Sequence, residues 1–292
     1  MIGKTSVLLA ACAAGAMALG IAGAAPASAQ TQRAAPAYKA PRGPDGKHPD
    51  LNGIWQVMNT AGWNIESHPS SAALELRPGP VVPVPAKAIL ALGAVGAVPG
   101  GPGVVVGGPL PYKPEALKQR DDNKAHYLAK DPEVKCYLPG VPRANYMDKP
   151  FQIFQSDSSM LIAYEYDSAA RNILFKDPGP APADSWMGQS VAHWDGDTLV
   201  VKVTDLNDQT WFDRAGNFHS DQLSVIERYT LVGPGVMKYE AEITDPETFT
   251  RPWKMEMMLY KHVGPDARLD QFKCVEFVTE LMYGDLRREP LK

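Results

Sequence analysis

Between residues 151 and 261, apolar side chains recur at every second position through a run of short segments separated by turn-forming residues. Period two marks strands with one face in a core and the other in water. In 236–244, Met237, Tyr239, Ala241 and Ile243 alternate with Lys238, Glu240 and Glu242. In 251–261 the apolar set is Trp253, Met255, Met257 and Leu259; in 159–166 it is Met160, Ile162, Tyr164 and Tyr166. The pattern predicts strands at 151–156, 159–166, 170–176, 188–194, 198–204, 222–231, 236–244 and 251–261, with another at Gly53-Ile54-Trp55-Gln56-Val57. Successive alternating strands joined by short connections specify a mainly β fold, a single antiparallel up-and-down β-barrel.

The rest of the chain is read around that barrel. Lys4, the apolar run from Val7 to Ala25 and Ala27-Ser28-Ala29 have the form of a secretory signal with its cleavage site. Residues 1–29 are therefore expected to be removed, 30–50 to be a flexible leader, and 51–292 to form one domain outside the cytoplasm, in the periplasm or beyond the cell. In that compartment Cys136 and Cys274 are expected to pair. Residues 58–112 read as a long irregular N-terminal insertion that caps the barrel, dense in Pro and Gly, with a short helix at 86–93. A second short helix is expected from Pro114 to Ala129, with Leu117, Tyr127 and Leu128 toward the core. Residues 131–143 read as an extended strap, and 268–284 as either a last strand or a covering helix.

A formal charge of −4, with mixed signs and no basic stripe, argues against a nucleic-acid partner. After the first run no apolar stretch is long enough to span a bilayer as a helix. Nucleophile elbow, P-loop and dinucleotide fingerprint are missing, so no cofactor is expected.

The candidate site consists of polar groups on apolar faces. Ile173 and Phe175 put Arg171 inward, and Leu223, Val225, Tyr229 and Leu231 do the same for Glu227. Carrying that parity backward adds His219, if the strand begins that early. Tyr164, Tyr166, Tyr229, Tyr239 and Trp253 share the interior. His193 is assigned by its hairpin. With Asp195-Gly196 as a two-residue turn, Trp194 pairs with Asp197 and His193 with Thr198, so His193 points outward with Gln189 and Lys202. A buried Glu or Arg is costly alone, so an internal Arg171–Glu227 ion pair is one expectation. A working pocket is another: His219 as acid and base, Asp213 or Glu227 fixing its tautomer, Arg171 anchoring an anion, and the 95–112 loop as a lid. A metal held by His193, His219 and Glu227 is a weaker third, because no ligand spacing motif is present.

Five segments, GVVVGGPLPYKPEAL (103–117), DPEVKCYLPGVPR (131–143), PFQIFQ (150–155), HWDGDTLVV (193–201) and TWFDRAGNFHSDQLSVIERYT (210–230), resemble a large family of secreted bacterial proteins of mostly uncharacterised function. That family is similar to lipocalin-like or calycin-like barrels, which use a Gly-x-Trp at the first strand, as Gly53-Ile54-Trp55 does here. The resemblance implies no activity. It draws attention to Arg143, His193, Asp213, His219, Glu227 and Arg228, which lie in the matching segments. Three functions are expected of such a chain. The first is a cofactor-independent lyase, decarboxylase, hydratase or isomerase acting on a small aromatic or hydrophobic, anionic substrate. The second is a carrier that binds a hydrophobic ligand without turnover, and the third a structural envelope protein with a filled barrel.

Overall fold

The computed structural model describes residues 38–72 and 97–284. The expected signal segment, the first part of the leader (30–37) and the expected helix at 86–93 lie outside the described residues. In chain order the elements are β1 (Gly53–Val57), β2 (Ser71–Ala72), β3 (Ala97–Val98), β4 (Val105–Val106), α1 (Pro114–Ala125), α2 (Tyr127–Lys130), β5 (Phe151–Gln155), β6 (Ser159–Tyr164), β7 (Ala170–Leu174), β8 (Gln189–Asp195), β9 (Thr198–Thr204), β10 (Ser224–Gly233), β11 (Val236–Thr244), β12 (Trp253–Lys261) and α3 (Val278–Tyr283).

β1 and β5 to β12 form a closed ring of nine strands in the order β1-β5-β6-β7-β8-β9-β10-β11-β12, and β12 returns to β1 through Trp55↔Lys261, Gln56↔Tyr260 and Val57↔Leu259. Nine is odd. Strand directions cannot alternate all the way round an odd ring, so at least one neighbouring pair must run parallel. Here it is β7–β8, joined through Ile173↔Ser190 and Leu174↔Val191. The expected uniform up-and-down alternation fails at this seam, and residues 175–188 must run back along the outside to restart β8.

The ring has two unlike ends. At one end lie the tight turns 156–158, 196–197 and 234–235 together with Gly53. Trp55 is buried there and its indole N–H donates to the Leu51 carbonyl at 2.9 Å. Gly53 has φ +137°, a backbone conformation that side-chain-bearing residues rarely adopt, so glycine is favoured two residues before the tryptophan. The chain crosses this end at residues 49–52, where the Leu51 N–H donates to Gln155 Oε1 at 2.8 Å and Gln155 Nε2 donates to the Pro49 carbonyl at 3.0 Å. His48 stacks on Trp194 with ring centres 4.7 Å apart, bracing the leader against the β8–β9 hairpin. The connections 58–150, 205–223 and 245–252 gather at the opposite end, while 175–188 runs from one end to the other.

Inward and outward faces follow the alternation. Met237, Tyr239, Ala241 and Ile243, and likewise Trp253, Met255, Met257 and Leu259, are buried. The β8–β9 hairpin turns at Gly196-Asp197, one residue later than Asp195-Gly196, so the register is Asp195↔Thr198, Trp194↔Leu199 and His193↔Val200. Moving a turn by one residue moves each partner by two, which leaves every side chain on its original face. His193 is accordingly exposed.

The helices depart from expectation. α1 stops at Ala125, and Leu117 is exposed; Asn123 is the residue α1 buries. A helix polar on nearly every side is held by its contacts and not by an apolar stripe. Asn123 Nδ2 donates to the Gly216 carbonyl at 3.4 Å, and Gly216 (φ +83°) lets the helix backbone approach so closely that a Cβ would lie 2.5 Å from Lys124 N. Residues 99–112, within the segment expected to act as a lid, are tied to their surroundings. Backbone hydrogen bonds tie Gly101 to His68, Val104 to Ile65 and to Glu256, and Pro111 to Thr250, and β4 pairs with the edge of β12. The last stretch ends in the short helix α3, with Leu281 and Met282 exposed. Cys136 and Cys274 are joined in a disulfide, which pins that stretch to the 131–142 turns. Among the described residues no helix is long and apolar enough to cross a membrane.

Candidate functional site

The interior polar cluster is built from five strands and one turn, with Ser190 supplied by β8. β7 contributes Arg171, β6 Tyr164, β10 Glu227 and Tyr229, β11 Tyr239, and the 3-10 turn Arg143–Tyr146 hangs Asn145 in from the open-loop end. Cross-strand register explains the convergence. Ile162↔Arg171 places Arg171 beside the strand that carries Tyr164, while Tyr229↔Tyr239 and Glu227↔Ala241 stack the other groups on adjoining inward positions. Arg171 and Glu227 form an ion pair through Nη2 and Oε2, with side chains 1% and 0% exposed. Glu227 Oε1 accepts from Asn145 Nδ2 at 2.8 Å, the Tyr239 hydroxyl at 2.8 Å and the Tyr229 hydroxyl at 3.0 Å. The Tyr164 hydroxyl donates to Asn145 Oδ1 at 3.0 Å, and Arg171 Nε donates to Ser190 Oγ at 2.7 Å. One donor is left over: Arg171 Nη1 is buried without a partner.

The electrostatics follow from this packing. Burial is the largest influence and works against a charged Arg171, but the carboxylate of Glu227 and the hydroxyls of Tyr229 and Tyr164 together outweigh it and hold the guanidinium protonated. Burial pushes the Tyr164 hydroxyl up to about 12 against the opposing charge of Arg171, and burial reinforced by Glu227 pushes those of Tyr229 and Tyr239 well up, so all three stay protonated and donate. The cluster is therefore neutral overall, with the charge of Arg171 already met by Glu227.

The other sequence candidates lie elsewhere. His219 is buried near the loop-rich end, its ring 5.3 Å from that of Phe212. Its Nδ1 lies 2.9 Å from the Ser220 carbonyl, which can only accept, so Nδ1 carries the proton. Nε2 then accepts from Thr210 Oγ1 at 2.6 Å. Burial lowers the His219 pKa, against a smaller opposing effect of Ser220 and Asp245, and the ring is neutral. Its tautomer is set by a backbone carbonyl, not by Asp213 or Glu227 as expected, and among the described residues no hydrogen bond joins it to either. Asp213 is a loop organiser. Its carboxylate accepts from the backbone N–H groups of Ile65 (2.9 Å), Ala215 (2.9 Å) and Asn217 (3.2 Å) and from Asn217 Nδ2 (2.7 Å). Burial nevertheless pushes it up to about 6.

Arg143 is buried outside the cluster, in a bidentate pair with Asp131 at 2.9 and 3.2 Å, with Nη2 also 2.6 Å from Glu133. Glu133 pairs with Arg214 as well. Burial raises Glu133, but the two guanidinium groups override it and bring it down to about 2. Tyr166 lies past the end of β6, where its hydroxyl donates to the Glu133 carbonyl at 3.3 Å near Cys274, so it does not join the phenols of the barrel. Trp253 packs edge-on against Phe212 and Phe249 with its indole N–H buried and unpartnered. Arg228 and His193 are exposed on the outer face. His193, His219 and Glu227, the residues considered for a metal, are thus on the outside, in the loop end and in the barrel core. Among the described residues no group of three or more metal-binding side chains is assembled.

Two members of the cluster were not foreseen. Ser190 shares the parity of Ala192 and Trp194, so alternation alone would have placed it inward. Asn145 sits in a turn with no periodicity, and only the tertiary structure brings it to Glu227. No protein-family model, curated protein or solved structure matches this chain. Its closed nine-stranded barrel, mostly antiparallel and with a tryptophan at the tight-turn end, is consistent with the lipocalin or calycin architecture.

Proposed function

We propose that the chain is a carrier, a lipocalin-like barrel that holds a small, flat, neutral molecule without transforming it. The observation behind this reading is the unpartnered Arg171 Nη1, a buried donor in a phenol-lined barrel where almost every other polar group is matched. A native structure seldom leaves such a donor unpaired, so a water or a ligand atom is expected to meet it. With Arg171 neutralised by Glu227, the fitting acceptor is a carbonyl or hydroxyl oxygen and not a carboxylate. Tyr164, Tyr229 and Tyr239 supply aromatic faces for a flat apolar body. An acid–base enzyme draws less support, because His219 is engaged by Thr210 and Ser220 and does not converge with Arg171 and Glu227. The disulfide fits an oxidising, non-cytoplasmic setting, and we place the carrier in the periplasm or outside the cell.

The test is purification from the native source without denaturation, followed by solvent extraction and mass spectrometry. A neutral aromatic or apolar molecule recovered near one equivalent supports the reading. A protein that comes out empty and gives no saturable binding to neutral aromatic ketones rules it out.

A further inference from the structure

We infer that ligand reaches Arg171 sideways through the β7–β8 seam, with the cleft beneath the 175–188 strap as its vestibule; this rests on the carrier reading above. The seam is the thinnest part of the wall. β7 and β8 share two residue pairs, whereas the other neighbours in the ring share three to nine. The parallel pairing starts at Ile173↔Ser190, so the Arg171 end of β7 has no ladder partner in β8. An odd strand count makes one parallel pair unavoidable, and a parallel pair needs an external crossover. Weak wall and outside strap therefore share one topological origin.

A cleft of about 360 Å³ lies at this place, between the strap residues Ala181, Pro182 and Ala183 and the strand residues Arg171, Asn172 and Ser190. Arg171 and Ser190 therefore belong both to the wall of the cleft and, through the 2.7 Å hydrogen bond of their side chains, to the interior cluster. The unpartnered Nη1 belongs to the same guanidinium. The strap is lightly held. Gln189 Nε2 donates to the Gly179 carbonyl at 2.8 Å, and Ser185 is anchored by its N–H to the Asp205 carbonyl at 2.9 Å and by its carbonyl to the Asn207 N–H at 3.0 Å. Between these anchors, Pro180 to Asp184 make no backbone hydrogen bond among the described residues. Moving these five residues breaks no sheet pairing, while the loop-rich end is crossed by hydrogen-bonded segments.

The experiment uses 6-propionyl-2-(dimethylamino)naphthalene, a flat neutral ketone whose emission reports polarity, in stopped-flow mixing with the full chain. Ala183→Trp fills the vestibule from the exposed strap; Ala181→Trp does the same from a second position should the first fail to fold. Each is expected to slow association and dissociation together by roughly tenfold while leaving Kd within about threefold, the pattern of a narrowed route to an unchanged site. Asn59→Trp, at the small cleft on the loop-rich end, is expected to leave both rates as in the wild type. Wild-type rates in a folded Ala183→Trp or Ala181→Trp protein, or slowing by Asn59→Trp, overturn the lateral route and leave the carrier reading standing. Absence of saturable probe binding to the wild type overturns both.

Discussion

Replacing Arg171 by Met and Glu227 by Gln, singly and together, measures how the barrel interior is held. Both side chains are essentially without solvent, so neither charge can be rescreened by water when the other is lost. Breaking a buried pair by removing one partner costs about 3–5 kcal/mol. Arg171→Met leaves Glu227 Oε2 without its counter-ion and Ser190 Oγ without its donor. Glu227→Gln keeps an oxygen for Asn145, Tyr229 and Tyr239 but turns an amide N–H₂ toward Arg171, donor against donor. In the double variant no charge remains, and one amide donor beside Met is left to find a partner, which costs about 1–3 kcal/mol. The singles would sum to roughly 6–10 kcal/mol, so a coupling of at least about 3 kcal/mol is expected. At about 2–4 °C per kcal/mol, each single lowers Tm by roughly 6–20 °C and the double by less than either. Guanidinium unfolding at pH 7 with the disulfide intact, followed by near-ultraviolet circular dichroism, reads all four proteins. Additive losses, or a single variant within 1 kcal/mol of wild type, would show that the pair is not the buried, mutually dependent unit described above.

Three further outcomes are expected. Asp213→Asn, nearly the same shape, offers one oxygen to the four N–H groups that now share two, so it loses two or more hydrogen bonds and about 2–4 kcal/mol; a loss below 1 kcal/mol in urea melts contradicts the assignment. His219 has a pKa lowered by burial, so below its ordinary value near 6.5 the unfolded chain takes up the proton first and stability falls as pH falls. Comparing unfolding at pH 7.5 and 5.0 should therefore give His219→Gln a shallower acid dependence than wild type, and an unchanged difference refutes the buried neutral ring. Replacing Cys136 and Cys274 by Ser opens a link between residues 138 apart, for which loop entropy sets a ceiling of about 5 kcal/mol; calorimetry showing no loss would mean that the last stretch is held by its other contacts.

The strands and their faces were legible in the sequence because period two is a local property. Whether Tyr239 or Glu240 points inward depends only on its neighbours along one strand, and even the misplaced turn at Asp195-Gly196 left His193 on the outer face, since partners shift in steps of two. The Gly53-x-Trp55 signal was local too. What alternation cannot report is height along the barrel or position around it. Arg171 and Glu227, 56 residues apart, meet because strand order and register carry them together, whereas His219, of the same inferred parity as Glu227, sits in the loop end with Thr210 and Ser220. Asn145 reaches Glu227 from a turn with no period at all. The parallel seam was decided by the closing of the ring, a condition on nine strands together that no single segment carries.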